Sequence, residues 1–221
     1  MTFSPDIRPR ASRPRPTGRI SALLLWLMIA TSLPELVLTA ADWGLVGSAR
    51  WRALAYQNGA FWVGLLRDWR PNYAAQPGAM FFSYAFLHGG IPHLLGNMAA
   101  LFGFGTLVIG RAGNRGFLAV YATAAVGGGL AFGLISTSPQ PMVGASGALF
   151  GLAGALVLWD AQDRRRARLS LRPVFRAVLG YMVLNLVLWA ALAGQLAWET
   201  HLGGFLAGAA VAALLRRPGQ G

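Results

Sequence analysis

No cysteine and no lysine occur among the 221 residues. The first absence excludes disulfides, thiolate metal sites and a cysteine nucleophile. Acidic residues are scarce: Asp6, Glu35, Asp42, Asp68, Asp160, Asp163 and Glu199 are all there are. None stands beside a histidine in a metal-binding spacing, and no HExxH pattern occurs. The chain therefore reads as needing no metal and no cofactor. Charge as a whole is thin, at 12% of residues against 55% hydrophobic. A soluble domain carries about twice that charge, so water is not the only solvent this chain is built for.

What is present is a series of apolar runs. A hydrocarbon core of about 30 Å takes about 20 helical residues to cross. Six runs reach or approach that length: 21–41, broken mainly by Pro34 and Glu35, then 91–110, 117–136, 143–159, 177–196 and 198–215. The first is too long for a signal-peptide core and reads as a true span. A shorter run, 53–66, reads as an interfacial or re-entrant helix within a long connection, 42–80. Long connections often form lids or binding elements. The expected fold is all-α: a polytopic membrane bundle of six helices over 20–217. A disordered basic N-terminus, 1–19, precedes it and a short tail, 218–221, follows.

The net charge of +12 comes entirely from arginine. With six spans, fifteen arginines fall on one side, namely those before run one, between runs two and three, between four and five, and after six. The other four, Arg50, Arg52, Arg67 and Arg70, lie in the first loop. This is the positive-inside pattern, with both termini cytoplasmic. It assigns the basic clusters to topology and to contact with the lipid bilayer, not to nucleic acid. An arginine- and alanine-rich composition suggests a GC-rich bacterium, hence an inner membrane.

Polar residues inside spans are expensive and so are functional candidates. His93, Asn97, Ser146 and His201 stand out. Runs two, four and six all enter from the outer side, and these four residues lie near their starts, at one depth. Ser146 sits in Gly144-Ala145-Ser146-Gly147, where a glycine-rich turn leaves a side chain approachable and backbone N–H groups unpaired. His201 lies one turn before Gly204, and Gly204 with Gly208 forms a GxxxG face suited to close helix approach. Should that face dock on the glycines of run four, His201 meets Ser146 as a base meets a nucleophile. His93 and Asn97 are four apart, on one helix face, and both are able to donate to an oxyanion. His88, in a turn with Gly89, Gly90 and Pro92, reads as support for the first loop. No acid is placed to complete a triad, so a dyad is expected.

Three motifs resemble those of the rhomboid intramembrane serine proteases. His88-Gly89-Gly90-Ile91-Pro92-His93-Leu94-Leu95-Gly96-Asn97 resembles the HxxxN motif of that family's second helix. Gly144-Ala145-Ser146-Gly147 resembles its GxSG, and His201-Leu202-Gly203-Gly204 with Gly208 its HxxGxxxG. The resemblance implies a six-span bundle with Ser146 as nucleophile and His201 as general base. Asn97, His93 and the Ser146 N–H would form the oxyanion hole, and Phe150 would lie under the His201 ring. Gly144, Gly147, Gly204, Gly208 and His88 would be supporting residues. It further implies single-span membrane proteins as substrates. The family's first-loop Trp-Arg pair has two candidates here, Trp51-Arg52 and Trp69-Arg70. Two other readings compete. A catalytically inactive client-binding relative would be marked by loss of Ser146 or His201, and both are present. A proton channel or transporter would need ionisable groups through the whole membrane thickness, whereas these cluster near one face.

Overall fold

The structure, a computed structural model, describes residues 20–215. The basic N-terminal segment, the tail, Arg216 and Arg217 lie outside the described residues. Among the described residues seven α-helices follow one another: α1 Ala22–Asp42, α2 Trp51–Gly59, α3 Gln76–Ser83, α4 Ile91–Ile135, α5 Ser146–Arg166, α6 Arg172–Ala191 and α7 Trp198–Leu214. Two short 3-10 turns, Val63–Leu66 and Tyr84–Phe86, complete the first connection.

α4 is formally one helix of 45 residues, but Gly113 breaks it with φ 69° and ψ 178°. This left-handed φ is open to glycine without a Cβ penalty. Six helical segments thus occupy the six apolar runs. Among the described residues three helices, α1, α4 and α6, are long and apolar enough to cross a membrane by length and composition. α7 has only 17 residues, and α5 ends in Arg164, Arg165 and Arg166. These two are nonetheless deeply enclosed, with α5 packed against α7 and both against α4. α1 and α6 flank them, and α6 buries no residue.

Helix ends differ from the apolar runs because hydropathy tracks lipid, not backbone geometry. The polar residues between runs two and three stay helical on both sides of Gly113. α5 continues past residue 159 to Arg166, supported by Asp160–Arg164 one turn apart and by the Arg111–Asp163 ion pair from α4. α6 ends at Ala191, before residue 196, where Ala193 and Gly194 take positive φ and turn the chain. α5 begins at Ser146 rather than 143, because Met142 pairs with Phe61 in an isolated antiparallel bridge.

The expected single helix over 53–66 is instead α2, a turn and a 3-10 segment, and α3 was not foreseen. This connection packs on the bundle through Phe61, which is fully buried and edge-on to Phe81, Tyr84 and Phe132. A second cluster, around Leu24, Leu101, Phe117, Val120 and Leu152, forms the main core between α1, α4, α5 and α7.

Candidate active site

The site begins with a seam of glycines. A Cβ on Gly204 would overlap the carbonyl oxygen of Gly147, and one on Gly208 that of Gly151. α5 and α7 therefore meet backbone to backbone. Ser146 precedes Gly147 and His201 lies one turn before Gly204, so the seam sets the distance between their side chains. His201 Nε2 stands 2.8 Å from Ser146 Oγ.

The turn into Ser146 is held from the first connection. Gly144 has φ 120° and donates its N–H to the Tyr84 carbonyl at 2.9 Å. The Tyr84 hydroxyl in turn donates to Ala125 O at 2.8 Å, tying this strut to α4. Any side chain at Gly144 would collide with the His93 ring, 2.7 Å from its Cβ position, and would approach Asn97 Nδ2 at 3.5 Å. The two α4 side chains thus converge on the backbone just before the serine.

Three N–H donors are free there. Ser146 is the first residue of α5, so its N–H has no acceptor within the helix. Asn97 Nδ2 is buried without a partner. His93 accepts the Gly89 N–H at Nδ1, 3.3 Å away, so its neutral ring carries the proton on Nε2, the atom beside Gly144. Preorganised donors of this kind stabilise a developing oxyanion.

His201 is buried and held on two sides. Phe150 stacks on it, with ring centroids 4.2 Å apart and planes within 9°. Asn185 of α6 was not anticipated as a partner: its Oδ1 lies 2.6 Å from His201 Nδ1. The signal for it was present, since Asn185 is an amide inside an apolar run, the same criterion that selected the other four residues.

Behind the site, Arg52 joins three elements. It donates to both oxygens of Glu35, which is fully buried in α1, at 2.8 and 2.9 Å, to Asp42 at 2.6 Å, and to the His88 carbonyl at 3.1 Å. The hydrogen bonds with Glu35 raise the guanidinium pKa above its ordinary value. Tyr56 donates to the same His88 carbonyl at 2.5 Å. Of the arginines in the two Trp-Arg pairs, it is Arg52 that enters this network, while Trp69 packs against Trp62. The His88 ring is fully enclosed, edge-on to His93 at 5.1 Å. Burial pushes its pKa down to about 3, which keeps it neutral.

The sequence matches the Rhomboid domain family over residues 76–218, well over half of the chain. It is 35% identical over 135 residues to Rhomboid protease GluP of Bacillus subtilis, an alignment covering 61% of this chain and 25% of that protein. It is 33% identical over 146 residues to RHOMBOID-like protein 5 of Arabidopsis thaliana, covering 63% of this chain and 45% of that one. The chain thus spans less than half the length of either relative.

Proposed function

The chain belongs to the rhomboid family, and we propose that it is an intramembrane serine endopeptidase cutting single-span membrane proteins near the outer bilayer face. The observation that carries this reading is the 2.8 Å approach of Ser146 Oγ to His201 Nε2 beside three unengaged donors. In this reading Ser146 Oγ attacks the scissile carbonyl carbon as its proton passes to His201 Nε2. The oxyanion forms against the Ser146 N–H, Asn97 Nδ2 and His93 Nε2. His201 then gives the proton to the leaving amine, and an ester to Ser146 remains. A water, deprotonated by His201, hydrolyses that ester and restores the serine.

The substrate must offer an unwound backbone, because a helical peptide bond is shielded by its own hydrogen bonds. Small or helix-breaking residues near the cut lower that cost. The six helical segments would each cross a bacterial inner membrane, with both termini cytoplasmic. The arginine distribution supports that orientation.

The test is cleavage of a single-span reporter by the purified chain, comparing wild type with Ser146→Ala and His201→Ala, together with labelling of Ser146 by a fluorophosphonate. Cleavage and labelling by wild type, with both variants folded and inert, are expected. A folded wild type that neither cuts nor labels would instead favour a client-binding membrane protein. A variant that cuts as well as wild type would overturn the catalytic assignment.

A further inference from the structure

Asn185 on α6 is a polar side chain inside an apolar run, and its oxygen faces His201. We propose that Asn185 is a positioning residue for His201, the third member of a Ser146–His201–Asn185 array. The inference rests on the serine-protease reading.

The geometry sets the direction of every hydrogen bond in the array. Asn185 Nδ2 donates to the Tyr181 carbonyl one turn earlier, at 2.9 Å. This orients the amide with its oxygen toward His201 Nδ1, 2.6 Å away. An amide oxygen only accepts, so the neutral imidazole carries its proton on Nδ1. Nε2 is then bare and faces Ser146 Oγ at 2.8 Å. That is the tautomer a general base requires.

Stacking on Phe150 does not secure this arrangement alone. A ring lying flat on another at 4.2 Å is held in its plane, but rotation by a half-turn within the stack preserves the contact. The contacts of Nδ1 with Asn185 and of Nε2 with Ser146 distinguish the two orientations, and of these only the amide oxygen, an obligate acceptor, also fixes the tautomer. As His201 takes up a proton, the amide dipole stabilises the imidazolium without adding a charge. An amide thus supplies orientation where the chain has no acid placed to do so.

α6 is also the helix held least by the bundle, packing chiefly against α5. Its main anchor is Tyr181, whose ring lies among Phe104, Phe150 and Phe205 at 5.9–6.4 Å. Asn185 lies one turn beyond this anchor. The orientation of the base therefore depends on α6 being docked.

The experiment uses the full chain in detergent micelles with Asn185→Ala and Asn185→Asp. Two readouts are taken: kcat and KM on a single-span reporter, and the 15N imidazole spectrum. The spectrum is tractable because the chain has only three histidines, with His201→Ala assigning the signal. Wild type should show a protonated Nδ1 and a bare Nε2 at His201. Asn185→Ala should mix the tautomers and lower kcat about 10- to 100-fold, with KM within about twofold. Asn185→Asp, which keeps the acceptor, should retain the tautomer and recover most of kcat. The proposal is overturned if Asn185→Ala keeps the wild-type tautomer and kcat, or if Asn185→Asp falls as far as Asn185→Ala. If wild type neither cuts nor labels, the spectrum still decides: a tautomer that depends on Asn185 upholds the positioning while the protease reading falls.

Discussion

In the proposed protease Ser146 and His201 would do their chemistry only in company, and the company is unequal. Asn97 contributes a buried amide N–H with no acceptor, and His93 an Nε2–H whose tautomer is set by the Gly89 N–H on the other ring nitrogen. Losing one oxyanion donor typically lowers kcat about 10²- to 10³-fold. Asn97→Ala is therefore expected to reduce kcat on a reporter by about 10²-fold, with KM nearly constant. His93→Ala should do the same and should also loosen the Gly144 turn, seen as a lower Tm. A KM rise with unchanged kcat in Asn97→Ala would remove it from the oxyanion site. At this scale much is legible: His93, Asn97, Ser146 and His201 are polar residues in apolar runs, and the fold brings them together. Asn185 meets the same criterion, but its partner is not legible, because periodicity does not say which face of a peripheral helix meets a histidine 16 residues away.

The helices divide into those that meet by backbone and those that meet by side chain. α5 and α7 are of the first kind, and a methyl group at Gly204 would push directly into the Gly147 carbonyl. Overpacking of this sort costs about 1–3 kcal/mol. Gly180 on α6 offers the contrast, with nothing near its Cβ position. Gly204→Ala is expected to lower both Tm and cleavage. Gly180→Ala should leave cleavage unchanged and hold or raise Tm, since alanine is the better helix former. Equal Tm losses in the two variants would refute the seam as the device that sets the Ser146–His201 distance. The seam was readable in outline, because Gly204 and Gly208 repeat at helical spacing. Helix ends were not, since the same residues stay helical on both sides of a lipid boundary.

The molecule as a whole joins a bundle to a folded first connection, and the joint is Arg52. Glu35 in α1 is completely buried, and its charge is balanced by the guanidinium of Arg52 from α2. Removing one partner of a buried pair typically costs about 3–5 kcal/mol, whereas replacing both by apolar groups is often neutral. Arg52→Leu should therefore lower Tm and cleavage strongly, while the double variant Glu35→Leu, Arg52→Leu should regain much of the Tm. Arg52→Lys should rescue little, because a lysine cannot reproduce the forked contact. Additive losses in the double variant would show that the pair acts separately. The reach of this network could not be read from the chain, since Glu35, Arg52 and His88 share no motif and meet only when α1 and the first connection pack. By itself the sequence determined that this is a helical membrane protein and which serine and histidines to examine, because lipid punishes polar groups and glycine spacing survives in one dimension. The tertiary structure alone decided that Arg52 joins Glu35, Asp42 and the His88 carbonyl, where Tyr84 and Phe61 brace the serine turn, and that Asn185 stands beside His201. Those contacts join residues far apart in the chain, and their geometry exists only once the helices have docked.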